Sequence, residues 1–145
     1  MGTMGKKTTG RDDPEGIGCS KPSGVEWSIY VTDEVAEWIE GLDDKSHGLV
    51  VKALDVLAEI GPALNRPLVD RLSGARLHNL KELRPGSSGR SELRMIFAFD
   101  PWRCAVMLLA GDKSGDWENW YTKAIPQAED RYVQYLEDRK SEENG

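Results

Sequence analysis

Three apolar runs, residues 77–83, 93–99 and 105–110, follow one another with only short linkers between them. Parallel neighbours need a crossover of about a dozen residues or more, so these runs can pair only as an antiparallel meander. The linkers carry turn chemistry, Pro85-Gly86-Ser87-Ser88-Gly89 in the first and Asp100-Pro101-Trp102-Arg103 in the second. Met95-Ile96-Phe97-Ala98-Phe99 and Val106-Met107-Leu108-Leu109 are apolar at every position, so the central strands must be covered on one face and at least partly on the other.

The flanking chain supplies the cover. Residues 25–31 alternate Val25, Trp27, Ile29 and Val31 with smaller or polar side chains, the period of a half-buried strand. Thr32-Asp33-Glu34 offers an N-cap and early carboxylates to a short helix carrying Val35, Trp38, Ile39 and Leu42. A second helix is expected from Asp43 or Asp44 through Val50, Leu54 and Leu57, ending where Gly61-Pro62 caps it and prevents its continuation. A loop containing Pro67 and Gly74 leads into the meander. Residues 116–138 are helical in pattern, and Pro126 predicts a break between a short first segment and a main helix carrying Ala128, Tyr132 and Leu136. The order β-α-α-β-β-β-α describes an α+β fold, an antiparallel sheet packed against a helical hairpin.

At 145 residues the chain is expected to form one domain, residues 25–138. Residues 1–24 hold one aliphatic side chain besides methionine, Ile17, and are expected to form a flexible tail; residues 139–145 are expected to fray as a polar one. No apolar run approaches the roughly 18 residues of a membrane span, and no apolar segment backs Lys6 and Lys7 as in a secretory signal. The expected location is therefore the cytoplasm, without membrane contact. Cys19 and Cys104 stand in unlike surroundings and suggest neither a disulfide framework nor a zinc site, with Cys104 expected in the core.

The net charge of -6 opposes nucleic-acid binding, but its distribution does not. Arg71, Arg76, Lys81, Arg84, Arg90 and Arg94 make residues 71–94 locally basic, opposed only by Glu82 and Glu92. On a meander, Lys81, Arg84, Arg90 and Arg94 can converge with Asp112, Lys113 and Tyr121 at one sheet edge. Such a group suits a phosphodiester, with cations for the phosphate and a Tyr, His or Lys to move protons. An ordinary solvated strand face is the alternative, and composition alone favours it. His78, on the side of Leu80, Glu82 and Arg84 if its strand is regular, has an imidazole suited to acid or base work. His47 reads as surface. Neither has metal-ligand spacing, and no glycine pattern cradles a nucleotide, so no metal or small-molecule cofactor is expected. Trp117, Trp120 and Tyr121, just past Lys113, offer a surface on which a base could stack.

Leu80-Lys81-Glu82-Leu83-Arg84, then Arg94 opening an apolar strand, then Leu108-Leu109-Ala110-Gly111-Asp112-Lys113, together resemble the blocks of phage-derived HigB-like toxins in the RelE/ParE superfamily. The resemblance covers about residues 25–138 and includes the element order. It implies a RelE-like fold and a metal-independent endoribonuclease, an mRNA interferase that cuts mRNA on the ribosome through attack of a 2′-hydroxyl on the adjacent phosphate. Carried across, Arg84, Arg94 and Lys113 bind phosphate and stabilise charge, His78 or Tyr121 transfers protons, and Lys81, Arg90 and Arg76 contact RNA. The implied partner is a HigA-like helix-turn-helix antitoxin. Glu82 stands where RelE itself has a lysine, so the general base does not transfer. Two rivals remain open: a ParE-like inhibitor of DNA gyrase without nuclease chemistry, and a decayed toxin that only binds its antitoxin.

Overall fold

The computed structural model describes residues 26–72, 74–77, 79–86 and 89–144. The expected tail over residues 1–24 and the position of His78 lie outside the described residues. Strand β1 (Ser28–Val31) leads through the Thr32 N-cap, whose hydroxyl accepts from Val35 N–H, into α1 (Asp33–Glu40). Asp43 caps α2 (Asp44–Ile60) in the same way through Ser46 N–H. Gly61 ends α2 at φ +72, and a Cβ there would stand 2.6 Å from the Trp27 ring, so both conformation and space demand glycine. Strands β2 (Val69–Arg71), β3 (Leu80–Leu83), β4 (Leu93–Phe99) and β5 (Cys104–Asp112) follow, and α3 (Trp117–Asn144) closes the chain.

The five strands stand in the order β1-β5-β4-β3-β2. The meander from β3 to β5 is antiparallel as expected, with Glu82 opposite Ile96 and Arg94 opposite Gly111. Two points correct the expected topology. The sheet is mixed, because β1 pairs parallel with β5, Ser28 opposite Cys104 through Val31 opposite Met107. The helices between β1 and the meander make that connection long enough to be a crossover. A fourth meander strand, β2, forms inside the stretch expected as loop, held by Asp70 opposite Glu82 and by Arg84 N–H donating to Leu68 O at 2.7 Å.

Strand alternation divides the core into two layers. Leu83, Met95, Phe97 and Met107 face α1 and α2, meeting Val35, Ile39, Val50, Leu54 and Leu57. Leu80, Ile96, Ala98, Val106 and Leu108 face α3, meeting Ala124, Ala128, Tyr132 and Tyr135. Fully buried side chains such as Phe97 and Leu54 each contribute on the order of 2 kcal/mol of apolar burial. The second face is thus covered by a helix of its own, which the apolar strands required.

Helix α3 runs unbroken through Pro126, against the expected interruption. Ala124 and Ala128, on either side of the proline, are both buried against the sheet, and this packing holds the axis where one ladder bond is lost. The helix also continues to Asn144, through the expected polar tail. Trp102 Nε1–H donates to Glu143, and Arg139 lies 4.3 Å over the Trp102 ring, so the last turns are tied to the β4–β5 turn. Cys104 is fully buried, as expected. Among the described residues no helix is long and apolar enough to cross a membrane.

Candidate active site

Glu82, Arg84 and Arg94 come together because alternation sends all three to the α3 face of the sheet, Glu82 with Leu80 on β3 and Arg94 with Ile96 on β4. At its N-terminal end α3 lowers Tyr121 onto them. The Tyr121 hydroxyl donates to Glu82 Oε2. Arg94 Nε lies 3.2 Å from Glu82 Oε2, and Arg84 Nη2 lies 3.6 Å from Glu82 Oε1 and 3.2 Å from Asp70 Oδ2. Glu82 is only 3% exposed, and all three of these partners are side chains.

The guanidinium groups are not saturated. Arg94 Nη1 donates to Leu93 O at 2.8 Å, but its Nε contact with Glu82 lacks hydrogen-bond geometry, and the buried Arg84 Nε has no acceptor among the described residues. Buried donors left in this state are costly in a closed core and useful where an anionic ligand arrives. Burial, then the hydrogen bond to Glu82 and its charge, push the Tyr121 phenol up to about 12 against the opposing charge of Arg94, so Tyr121 keeps its proton at any physiological pH.

Lys113 borders the cluster. Its Nζ pairs with Glu92 Oε1 at 3.5 Å and stands 5.7 Å from the ring centres of both Trp117 and Tyr121. The turn carrying it is fixed by Asp112, whose Oδ1 accepts from Glu92 N–H and Ser114 N–H, both at 2.9 Å. Those bonds outweigh burial and hold the Asp112 carboxyl below its ordinary value. Gly111, opposite Arg94, leaves room for the Trp120 indole, whose Nε1 would stand 2.6 Å from a Cβ at that position.

The structure thus gathers Arg84, Arg94, Lys113 and Tyr121 from the expected set and leaves others apart. Lys81 alternates to the opposite face, beside Leu83, and cannot join Glu82. Arg90 is exposed in the β3–β4 connection. Arg76 is tied to α3: its Nη2 lies 3.0 Å from Glu129 Oε1, and the same carboxylate accepts from Arg76 N–H and Leu77 N–H. Glu82 itself is the residue that sequence reasoning missed. Its signal was present, since a glutamate two residues before an arginine on an alternating strand shares its face; it was placed on that face but read as an opposing charge and as a departure from the lysine of RelE.

A cleft of about 520 Å³ lies elsewhere, between the end of β5, the start of α1 and α3, and is lined by Glu34, Asp112, Trp120, Lys123 and Arg131. Glu82, Arg84, Arg94 and Tyr121 do not line it. No group of His, Cys, Asp and Glu among the described residues has the arrangement of a metal site.

Comparison with known proteins adds a family. Residues 37–133 match the model of the phage-derived protein Gp49-like family. Two Mycobacterium tuberculosis (strain ATCC 25618 / H37Rv) proteins are similar to the chain. One, named as a candidate toxin, HigB2, is 49% identical over 112 residues, which are 77% of this chain and 55% of the relative. The other, named as a candidate toxin, HigB3, is 39% identical over 109 residues, 75% of this chain and 93% of the relative. The chain therefore matches about half the length of the first and nearly all of the second. No solved structure gives a significant match.

Proposed function

Because the chain belongs to the phage-derived Gp49-like family, with relatives named as HigB-type toxins, we propose that it is the toxin of a type II toxin-antitoxin pair and cuts RNA at the Glu82 cluster. The observation that carries this reading is the buried Glu82 carboxylate held between two arginines and a protonated tyrosine. A general base, two charge stabilisers and a proton donor are the parts that 2′-hydroxyl attack on a phosphodiester requires.

In this mechanism Glu82 takes the proton from the 2′-hydroxyl as its oxygen bonds to phosphorus. Arg84 and Arg94 bind the phosphate oxygens through donors now lacking good acceptors, and they stabilise the charge that grows there. As the bond from phosphorus to the 5′-oxygen breaks, Tyr121 gives its proton to that oxygen. A phenol titrating near 12 is still a stronger acid than the departing alcohol. Protonated Glu82 then returns its proton to Tyr121 along the hydrogen bond that already joins them, leaving a 2′,3′-cyclic phosphate and a free 5′-hydroxyl.

A ribosome-bound mRNA is the substrate in this reading, which puts the protein's work in the cytoplasm. A HigA-like helix-turn-helix antitoxin is the partner that neutralises it. Purified protein incubated with an mRNA, alone and on ribosomes, tests the activity. Fragments ending in 2′,3′-cyclic phosphate in either arm support it. Intact RNA in both, together with inhibition of DNA gyrase by the same protein, favours the ParE-like alternative.

A further inference from the structure

Five tryptophans are present, and four have structural posts. Trp27 fills the space above Gly61, Trp38 packs on the α1–α2 core, Trp102 is stacked by Arg139, and Trp120 sits over Gly111. Trp117 differs. It is 54% exposed and is the only aromatic among the large hydrophobic side chains exposed in the described residues. It opens α3 one turn before Tyr121, so the two rings share a helix face, with centroids 6.3 Å apart in an edge contact. The Lys113 ammonium lies 5.7 Å from both ring centres.

We propose that Trp117 is a stacking platform for a nucleobase of the bound strand, adjoining the phosphate held by Arg84 and Arg94. This rests on the nuclease reading above. A nucleic acid strand presents phosphates and flat bases in alternation, and the surface offers cations and a flat ring in the same alternation: Arg84 and Arg94, Trp117, and Lys113 beside it. An exposed indole leaves much of a large apolar surface in water, and a base is a partner that can cover it. Stacking tolerates any base because each has a π-face, so Trp117 would set affinity and register along the strand, with purines held more firmly through their larger rings. A peptide partner would gain from the indole but would leave the arginine donors without phosphate.

The test uses end-labelled oligodeoxyadenylate, which lacks the 2′-hydroxyl and cannot be cut by this chemistry, against an abasic deoxyribose-phosphate strand of equal length, with binding read by fluorescence anisotropy. The parent protein is expected to bind the adenylate strand about tenfold more tightly than the abasic one. Trp117→Ala is expected to remove most of that preference and leave abasic binding unchanged, while Trp117→Phe keeps part of it. Arg84→Ala is expected to weaken both strands alike. Circular dichroism confirms that each variant is folded, and the exposed position of Trp117 makes its loss tolerable. Undiminished preference in Trp117→Ala, or equal binding of the two strands by the parent, overturns the platform while leaving phosphate binding intact. Failure of the parent to bind either strand overturns the platform, and the cleavage assay on ribosomes then decides the nuclease reading by itself.

Discussion

Glu82 and Asp100 are buried carboxylates on the same side of the molecule, each joined to a tyrosine of α3 and to an arginine, and in the proposed mechanism they are put to opposite uses. Tyr135, which donates to Asp100 Oδ2 at 2.5 Å, stands fourteen residues after Tyr121, about 21 Å further along the helix. Asp100 also accepts Trp102 N–H and Cys104 N–H at 2.9 and 2.8 Å, and Arg139 lies 3.9 Å away. Backbone donors thus occupy one oxygen and side chains the other, leaving no place for a substrate. Glu82 meets only side chains in its cluster, and the cations around it keep donors without good acceptors. Similar residue types make a lock where the backbone saturates them and, in the proposed mechanism, a reactive group where it does not.

The sharpest way to break this contrast is Glu82→Gln. Removal of a general base is expected to lower RNA cleavage by about 10²–10⁴-fold, measured as a single-turnover rate, while urea unfolding stays cooperative. Asp100→Ala should do the reverse. With two backbone N–H groups and a phenol left unsatisfied in the core, it is expected to cost about 3 kcal/mol of stability by urea denaturation. Protein that still folds should keep its cleavage rate.

Arg94→Ala sharpens the Glu82 half. It is expected to lower the cleavage rate by about two decades, since one charge-stabilising group in phosphoryl transfer is worth roughly 3 kcal/mol. Equal cleavage by this variant at equal soluble yield would remove Arg94 from the mechanism.

The smallest effects are in pH dependence. Burial raises the Asp100 carboxyl above its ordinary 3.8, against the opposing hydrogen bonds from Tyr135, Cys104 and Trp102 and the charge of Arg139. A group protonated more readily in the folded state contributes stability that is lost as pH rises from that ordinary value through the raised one. Asp100→Asn should flatten that part of the stability profile. Glu129 has the opposite slope: burial raises it, but bonds from Arg76 and Leu77 outweigh burial and set it below its ordinary 4.5. Its contribution is lost as pH falls through the lowered value, and Glu129→Gln should remove that acid-side loss. Urea melts over a pH series read both slopes.

Much of this was legible in the sequence because it depends on local periodicity. The meander, the α1–α2 hairpin and the convergence of Arg84 and Arg94 at one sheet edge follow from alternation and turn chemistry. The parallel pairing of β1 was hidden because nothing local distinguishes a strand that pairs after a crossover from one that pairs with its neighbour. The three-residue β2 is shorter than any pattern can mark. Pro126 misled because its penalty is local, whereas the burial of Ala124 and Ala128 that overrides it is tertiary. Glu82 was visible as a residue but not as a centre. Only the fold brings Tyr121, thirty-nine positions later, onto its carboxylate. Lys81 looked equivalent to Arg84 by charge but, three positions away, falls on the opposite face of the pleat.

The most direct test is to map RNA 5′ ends in cells after brief induction of the parent protein, of Glu82→Gln and of Asp100→Asn at matched soluble levels. The account predicts new, recurrent ends in mRNA for the parent and for Asp100→Asn, and none for Glu82→Gln. New ends that persist in Glu82→Gln, or mRNA left intact by a parent protein that still arrests growth, would contradict it.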